Sequence, residues 1–391
     1  MEDTIMEAAS RTRPVLGIDV GKRSHWACLV TAEGEIALNA PVANRERDLD
    51  ELFSGVPGDA LVVVDQVRNI GSLALKRAAV AGLESAYLPG TAMHGASRLF
   101  AGDAKTDERD ALVIAKTAIG IPDSLLPVPR PDAVLDAARA MASQRDYLVA
   151  GATRDKNRLR SILLESCPAF ESLVDLSDPH CLRMLSEIGG PWQVLDAGKS
   201  SVGAVTRGAN RARIDALWES ISTSTRPDGL RAAAEGASVR LLAKRVSEAA
   251  SECARLEAEI SALLESDATY RFLLTVPGIG PRTASELVIG IDIGEFASHD
   301  RLASYCGLAP RNRRSGTSVS SVTASRRGNK RLKNLLVFSC NSLIRSDNRF
   351  GAFYRKCRDR GMPHGKALKA VARKRLKVIY AIMRDRVPYA A

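Results

Sequence analysis

The chain has 391 residues, 45% of them apolar and 26% charged, and a formal net charge of +11; this is the composition of a soluble protein of two or three domains and excludes a disordered or fibrous chain. No apolar run approaches the roughly 18 residues of a membrane span, and the opening MEDTIMEAAS is acidic where a secretory leader would be basic. A cytoplasmic protein with no membrane partner is therefore expected. Seven cysteines without a CxxC pair, and five histidines at no ligand spacing to them, read as reduced thiols with no zinc site.

The charge is unevenly divided. Residues 1–120 carry −4, residues 121–270 carry −3 and residues 271–391 carry +18. Such asymmetry marks a polyanion-binding region beside a domain with a different task.

The first 120 residues alternate strand and helix signals. Val15–Val20 (VLGIDV), Trp26–Thr31 and Glu35–Val42 read as three strands of a meander. They are followed by a helix from Asn44, the apolar strand Leu61–Val64, a helix from Gly71, a strand Ser85–Leu88, and helices from about Thr91 and Thr106. This order is that of a ribonuclease-H-like α/β domain, and VVVD reads as its central strand, buried on both faces. The Pro-rich stretch Ile121–Pro131 ends the domain.

From Asp132 to about Cys167 there is no proline and one glycine, which predicts a long helix. An irregular insertion follows between Pro168 and Gly229. The residues Val239, Leu242, Val246, Ala249, Cys253, Leu256, Ile260 and Leu263 then alternate three- and four-residue steps, an a/d seam that suits either an intramolecular hairpin with the Asp132 helix or a coiled-coil dimer. Val276–Gly280 (VPGIG) before a helical run fits a helix-hairpin-helix element, whose glycine-rich turn aims helix amides at a phosphate; a plain connector would look the same. Helices from Arg301, Lys330 and Lys366 complete a mostly α-helical C-terminal domain. The expected boundaries are 12–120, 132–268 and 271–388.

Two strand-end acids stand out. Asp19 closes GID and Asp65 closes LVVVD; an acid in an apolar strand is costly unless neutralised, and Mg²⁺ neutralises it with oxygen ligands. Either could equally be a solvated strand end. In AKTDERDA, Asp107 and Asp110 are three apart and share a helix face, as many solvated DxxD pairs do. The ordered set of strand Asp, strand Asp and helix Asp-x-x-Asp raises the metal-site expectation, because such a set activates a nucleophile and stabilises a leaving oxygen in phosphoryl transfer. Asp103 and Glu108 are treated as bystanders.

Residues 311–333 hold eight Lys/Arg and no acid, and residues 355–377 hold ten against Asp359. Two such tracts suggest several phosphate contacts and salt-dependent binding. Gly278, Gly280, Arg311, Arg313, Arg314, Arg326, Arg327, Lys330 and Arg331 are the candidate nucleic-acid contacts. Few aromatics interleave, so base stacking is not evident. Ser315 sits among these cations; its hydroxyl is either an activated nucleophile or a phosphate-contacting loop serine, with Ser318, Ser320 and Ser321 as competitors.

These motifs together resemble one family, the DEDD transposases of the insertion-sequence-110 type, related to the Piv DNA invertases. The matching segments are GIDVGK around Asp19, VVVDQ around Asp65, YLPG at Tyr87–Gly90, AKTDERDA around Asp107 and Asp110, VPGIG at Val276–Gly280, and YCGLAPRNRRSG at Tyr305–Gly316, in family order over roughly residues 15–385. The resemblance implies a RuvC-like domain in which Asp19, Asp65, Asp107 and Asp110 bind Mg²⁺, with Mn²⁺ as a substitute. It implies that Ser315 attacks a DNA phosphate to form a covalent phosphoserine link. It also implies a dimer or tetramer in which one subunit's acids meet another's serine domain, donor and target double-stranded DNA as substrates, and a non-coding bridge RNA as guide. Many members carry Glu where this chain has Asp65, one methylene shorter. Two other functions fit the same residues: a junction-resolving or other metal-dependent nuclease using water, and a non-catalytic nucleic-acid-binding descendant.

Overall fold

The computed structural model describes residues 13–67, 69–100, 106–128, 132–207, 211–315, 319–324 and 328–390, with the backbone alone for Pro127, 310–315 and 319–324. The chain divides into two compact units, Met1–Arg130 and Pro131–Ala391.

The first unit is a six-stranded sheet with helices. Its strands are β1 (Val15–Asp19), β2 (Ser24–Val30), β3 (Ile36–Ala43), β4 (Leu61–Val64), β5 (Glu84–Tyr87) and β6 (Leu126–Pro127), in the spatial order β3-β2-β1-β4-β5-β6. β1, β2 and β3 form the expected antiparallel meander, while β4 lies parallel to β1 and β5 parallel to β4. Parallel pairing requires crossovers, supplied by α1 (Glu46–Ser54) between β3 and β4 and α2 (Ser72–Val80) between β4 and β5. α3 (Gly90–Ser97) and α4 (Asp107–Gly120) follow.

Alternate residues of the two central strands feed separate cores. Leu16, Ile18, Val62 and Val64 join Leu49, Phe53 and Ala74. Val15, Leu61 and Val63 join Ala111, Ile114 and Ala118 of α4. The apolar run before Asp65 is therefore buried on both faces, as its composition predicts. The first unit ends at Arg130, within the Pro-rich stretch, and Leu126–Pro127 of that stretch adds an unexpected sixth strand antiparallel to β5.

The second unit is mostly helical. The long helix expected from Asp132 is α5 (Ala133–Ser166), and the Asp132 carboxylate accepts from the amides of Val134 and Leu135. The stretch expected to be an irregular insertion is instead four helices: α6 (Pro168–Leu173), α7 (Pro179–Glu187), α8 (Pro191–Val205) and α9 (Arg211–Ser222). Three of them open on proline at the first turn, where the missing N–H costs nothing because that amide has no helical acceptor. Phe170, Trp192 and Leu217 pack there with Leu159 of α5 and Val239 of α10 (Gly229–Leu264).

The heptad seam lies on α10, which packs along α5. Arg245 pairs with Asp155 while Arg145 approaches Glu257, so the two helices run antiparallel. Val239, Val246, Leu256 and Ile260 are buried, so the seam serves an intramolecular helical hairpin. A second core unites the ends of this hairpin with α11 (Ala268–Leu274), α12 (Pro281–Gly290), α13 (His299–Tyr305), α14 (Lys330–Phe338), α15 (Arg349–Asp359) and α16 (His364–Asp385). The mostly helical C-terminal region also contains a hairpin, β7 (Pro310–Ser315) paired antiparallel with β8 (Val319–Ala324).

Charge is buried in this core in two places. Glu286 of α12 is 4% exposed and accepts from Arg145 of α5, 2% exposed, and from Arg331 of α14 at 2.5 Å; Arg331 also reaches Asp146 at 2.6 Å. Arg375 of α16 is fully buried and donates to the Ser339 carbonyl at 3.0 Å and the Ser339 hydroxyl at 2.9 Å. Removing one member of a buried set leaves its partner's charge uncompensated. Glu286→Ala is expected to destabilise the second unit by about 3–5 kcal/mol, measured as a lower denaturant midpoint, with Glu286→Gln falling between it and wild type.

Candidate active site

The site is built where the two central strands end. β1 and β4 are parallel and in register through Ile18 and Val64, so the next residues, Asp19 and Asp65, emerge side by side at the carboxyl edge of the sheet. From there β1 leads to one side and β4 to the other, and the crevice outside such a divergence is where open α/β sheets hold ligands. Both acids are half-buried.

α4 brings the third carboxylate. Its backbone lies directly on β1 at Gly17: a Cβ there would stand 2.7 Å from the Ala115 amide nitrogen and closer still to the Ala111 carbonyl. Asp110 precedes that contact by one residue and is near enough to Asp65 for the two charges to repel. Burial, and secondarily Asp110, push the Asp65 carboxyl above the ordinary carboxylate range, against a long hydrogen bond of 3.5 Å from the Val20 amide. Asp107 lies one turn earlier and is exposed.

The helix start is well specified. Thr106 caps α4, accepting from the Arg109 amide at 3.2 Å, and Asp107, Glu108 and Asp110 occupy the first turn, where the helix dipole favours negative charge. Glu108 accepts from Asn39 at 2.6 Å, and Asn39 accepts from the Trp26 indole at 2.7 Å. Glu108 is thus used on the β3 side and is a bystander at the edge. Arg109 donates to the Ser97 carbonyl at 3.3 Å and the Phe100 carbonyl at 3.0 Å, tying the end of α3 to α4.

Sequence reasoning missed the brace behind Asp19. His25 is buried and its Nδ1 accepts from the Gly21 amide at 3.1 Å, while burial holds its ring below the ordinary histidine range, so it is neutral. Asn44 donates to the Lys22 carbonyl at 3.2 Å. A Cβ on Gly21 would collide with the Ser24 carbonyl. The tight Gly-x-x-x-His turn after the strand was the available signal.

Among the described residues no lysine or arginine pairs with Asp65, Asp107 or Asp110, and no group of three or more His, Cys, Asp or Glu side chains is closed to metal-holding distance. The edge brings Asp19, Asp65 and Asp110 to one side of the sheet without drawing any three of the acids into one tight cluster. The acids still fit a divalent cation: Asp65 with Asp110 beside it, neither in an ion pair with another described residue, is a donor set of hard oxygens lacking its counter-charge.

In the second unit, the Val276–Gly280 turn joins α11 to α12, an arrangement that suits both a helix-hairpin-helix element and a plain connector. Gly278 takes a left-handed φ of 73°, and a Cβ there would stand 2.8 Å from Leu343. Gly280 is exposed at the head of α12. Ser315 is the last residue of β7, opposite Val319, and Arg311, Arg313 and Arg314 lie on the same strand. Lys330 opens α14 and is exposed, whereas Arg331 is engaged by Asp146 and Glu286. Ser320 and Ser321 lie on β8. Asp103, Ser318, Arg326 and Arg327 lie outside the described residues. All seven cysteines are unpaired. Burial raises the thiols of Cys28, Cys181, Cys253, Cys306 and Cys340, Cys306 up to about 12, which makes them poor nucleophiles.

A transposase family matches residues 16–168, and the transposase IS116/IS110/IS902 family matches residues 270–355. Over 379 residues the chain is 33% identical to the insertion element IS110 43.6 kDa protein of Streptomyces coelicolor, covering 95% of this chain and 94% of that protein. The chain belongs to the IS110 transposase family. A second member, the insertion element IS900 42 kDa protein of Mycobacterium paratuberculosis, is 29% identical over 386 residues, 95% of this chain and 96% of that protein. The pilin gene-inverting protein of Moraxella bovis is 36% identical over 124 residues, 30% of this chain and 37% of that protein. This IS110-family chain is accordingly an enzyme that recombines DNA, and its first matched region spans all four acids. Divalent metal use fits that region. Among the described residues no helix is long and apolar enough to cross a membrane.

The contact at Gly17 is tight backbone against strand. Gly17→Ala is expected to push α4 away from β1, lowering stability by about 1–3 kcal/mol and DNA strand cleavage by more than the loss of folded protein explains, checked by thermal melts beside activity per folded molecule. Asp65→Asn removes a carboxylate whose pKa is raised on folding. Such a group favours the folded state below its unfolded pKa, and that contribution is lost as pH rises through the folded value. Without divalent metal, the variant is expected to raise the first unit's melting temperature at neutral pH by about 2 °C, while the difference disappears in acid.

Proposed function

We propose that this transposase cuts and rejoins DNA through two chemical groups, a carboxylate set that binds Mg²⁺ and a serine nucleophile. The observation that carries the reading is the carboxyl edge of the first unit, where Asp65 and Asp110 lie close enough to repel, beside Asp19. The strand order, with β1 central and the antiparallel meander on one side, supports a RuvC/ribonuclease-H-like domain over residues 12–120. The proposed remainder is a helical coiled-coil region over 132–268 and a basic transposase domain over 271–388, with Gly278, Gly280, Arg311, Arg313, Arg314, Arg326, Arg327, Lys330 and Arg331 as its nucleic-acid contacts. For Arg331 that role would be shared with its ion pairs.

Asp19, Asp65, Asp107 and Asp110 would hold the cation, Mn²⁺ serving in place of Mg²⁺. Bound there, it supplies Lewis-acid polarisation of a phosphate oxygen. The protein's own contribution is to hold the carboxylates in place: Gly17 sets the height of α4, Thr106 its start, and His25 with Asn44 the loop after Asp19. The Ser315 oxygen attacks the DNA phosphorus, one P–O bond forms to the serine, the P–O bond to the departing strand breaks, and the serine proton passes through solvent to the departing oxygen, leaving a hydroxyl on that strand. Flanking arginines favour the approach of the phosphate. Rejoining reverses these events with a different strand.

The resemblance to the family further supports donor and target double-stranded DNA as substrates, a non-coding bridge RNA as guide, a homodimer or tetramer and action in the cytoplasm. The net charge of +18 in residues 271–391 suits polyanions of either kind. RNA sequenced from the purified protein would identify the guide.

The deciding experiment traps protein–DNA adducts on the ends of the element in Mg²⁺. Wild type is expected to give an adduct resistant to denaturation, and Ser315→Ala none. Asp19→Asn and Asp107→Asn are expected to reduce adduct formation at least about a hundredfold. Cleavage without an adduct would assign the reaction to water, as in a nuclease, and an adduct with Ser315→Ala would move the nucleophile elsewhere.

A further inference from the structure

The two faces of α14 differ in a way that core packing does not explain. Leu332 and Leu336 are buried in the second unit's core. On the other side Asn334 and Phe338, four residues apart, share a face, and Phe338 is 77% exposed. A cavity of about 310 Å³ opens there, lined by Lys333, Asn334, Val337, Phe338, Asn341 and Lys369 of α16. Among the described residues, no ion pair engages Lys333 or Lys369, no hydrogen bond engages the side chains of Asn334 or Asn341, and no ring stacks on Phe338.

A lone exposed phenylalanine needs no explanation. This one is the wall of a cavity that also holds two unused amides and two unused ammonium groups. A planar, polar-edged, negatively charged ligand uses all of them: an aromatic face stacks on the ring, amides pair with a base edge, and lysines meet a phosphate. Lys369 belongs to the tract 355–377, which holds ten Lys/Arg against Asp359, of which Arg355, Arg373 and Arg375 are engaged elsewhere. A second copy of this surface would bury four lysines without a counter-charge, which disfavours a second copy as the occupant.

We propose that this cavity binds one unpaired nucleotide of a nucleic-acid strand, with Phe338 as its stacking platform. A paired base is stacked within its duplex and offers no face to the ring, so the ligand is a single strand, a bulge or an extruded base. The start of α14 is fixed against the end of α13. The amide of Asn329, the residue before α14, donates to the Tyr305 carbonyl at 2.7 Å, and a Cβ on Gly328 would stand 2.7 Å from that same carbonyl. Phe338 follows Lys330 along the helix by about 12 Å, and α14 begins six residues after β8 ends in the chain. The binding of an unpaired nucleotide at Phe338 stands whether or not Ser315 is the nucleophile.

The test measures binding by the full-length protein, without chemistry. The probes are a short single-stranded DNA, the same sequence as RNA, a blunt DNA duplex, and that duplex with a single-nucleotide bulge containing 2-aminopurine. Phe338→Ala is expected to weaken single-strand and bulge binding about five- to a hundredfold, leave the blunt duplex within about twofold, and abolish quenching of the 2-aminopurine. Phe338→Leu, which keeps an apolar side chain and removes the ring, should behave like Phe338→Ala, and Phe338→Trp like wild type. Loss on the DNA strand, the RNA strand or both supports the proposal and names the strand held. Equal loss on the blunt duplex, unchanged binding to every probe, or a change in oligomer size at unchanged affinity overturns it.

Discussion

The first unit depends on a backbone packed against a backbone. At Gly17 the helix that carries Asp107 and Asp110 lies on the central strand with no side chain between them. This close approach is possible because glycine has no Cβ. Everything at the carboxyl edge follows from it: α4 sits low over β1, Ala111 and Ala115 fill the gap, and Asp110 comes within electrostatic reach of Asp65. A bulkier contact would relieve the repulsion between the two acids and improve the free protein's electrostatics. The sequence keeps the repulsion. Thr106 as a cap, the helix dipole and the long bond from Val20 offset part of its cost, and the buried apolar strands beneath supply the stability that makes such an edge affordable.

The second unit buries charge for a different purpose. Arg145, Glu286 and Arg331 join α5, α12 and α14, and Arg375 joins α16 to the end of α14 through Ser339. Ionic frames of this kind need not add stability over an apolar core, but they fix the register of the elements they join. They also divide the basic residues into two classes. Arg375 is consumed inside the fold, Arg331 is tied to Asp146 and Glu286 though part of it stays exposed, and Arg373 pairs with Asp300. The large positive total for the last 121 residues therefore overstates the charge offered to phosphate, and the exposed Lys330 and Lys369 are better placed to offer it.

The strands that carry Asp19 and Asp65 were legible because buried central strands are almost wholly apolar, and an acid at their end breaks the pattern. The start of α4 was legible from Thr106 and its acidic first turn. Prolines misled in both units. Pro127 lies in an edge strand where one ladder partner suffices, and Pro168, Pro179 and Pro191 open helices at the position where proline is favoured. The β7–β8 hairpin was hidden because its β-branched Val319, Val322 and Thr323 are diluted by serine and flanked by arginine. The heptad seam showed which residues share a face but not what covers that face, which is a property of the whole chain. The neighbours of Phe338 were invisible for the same reason: Lys369 meets α14 through tertiary packing, and in the sequence that phenylalanine is one apolar residue among several.

Charge separation gives the enzyme a safeguard. A carboxylate edge repels phosphate, so the acids alone cannot hold a DNA strand against themselves; a cation must neutralise them before a scissile phosphate can approach. On the proposed mechanism, the basic surface and the unpaired-nucleotide pocket would bind nucleic acid without that cation, and the nucleophile Ser315 lies on the same unit. Affinity and the nucleophile would then belong to one unit and the cation to the other, and neither unit would suffice alone. For an enzyme that must cut DNA at few places, the separation lets binding be frequent and reversible while cleavage waits for the acids, the cation and a correctly held strand to coincide.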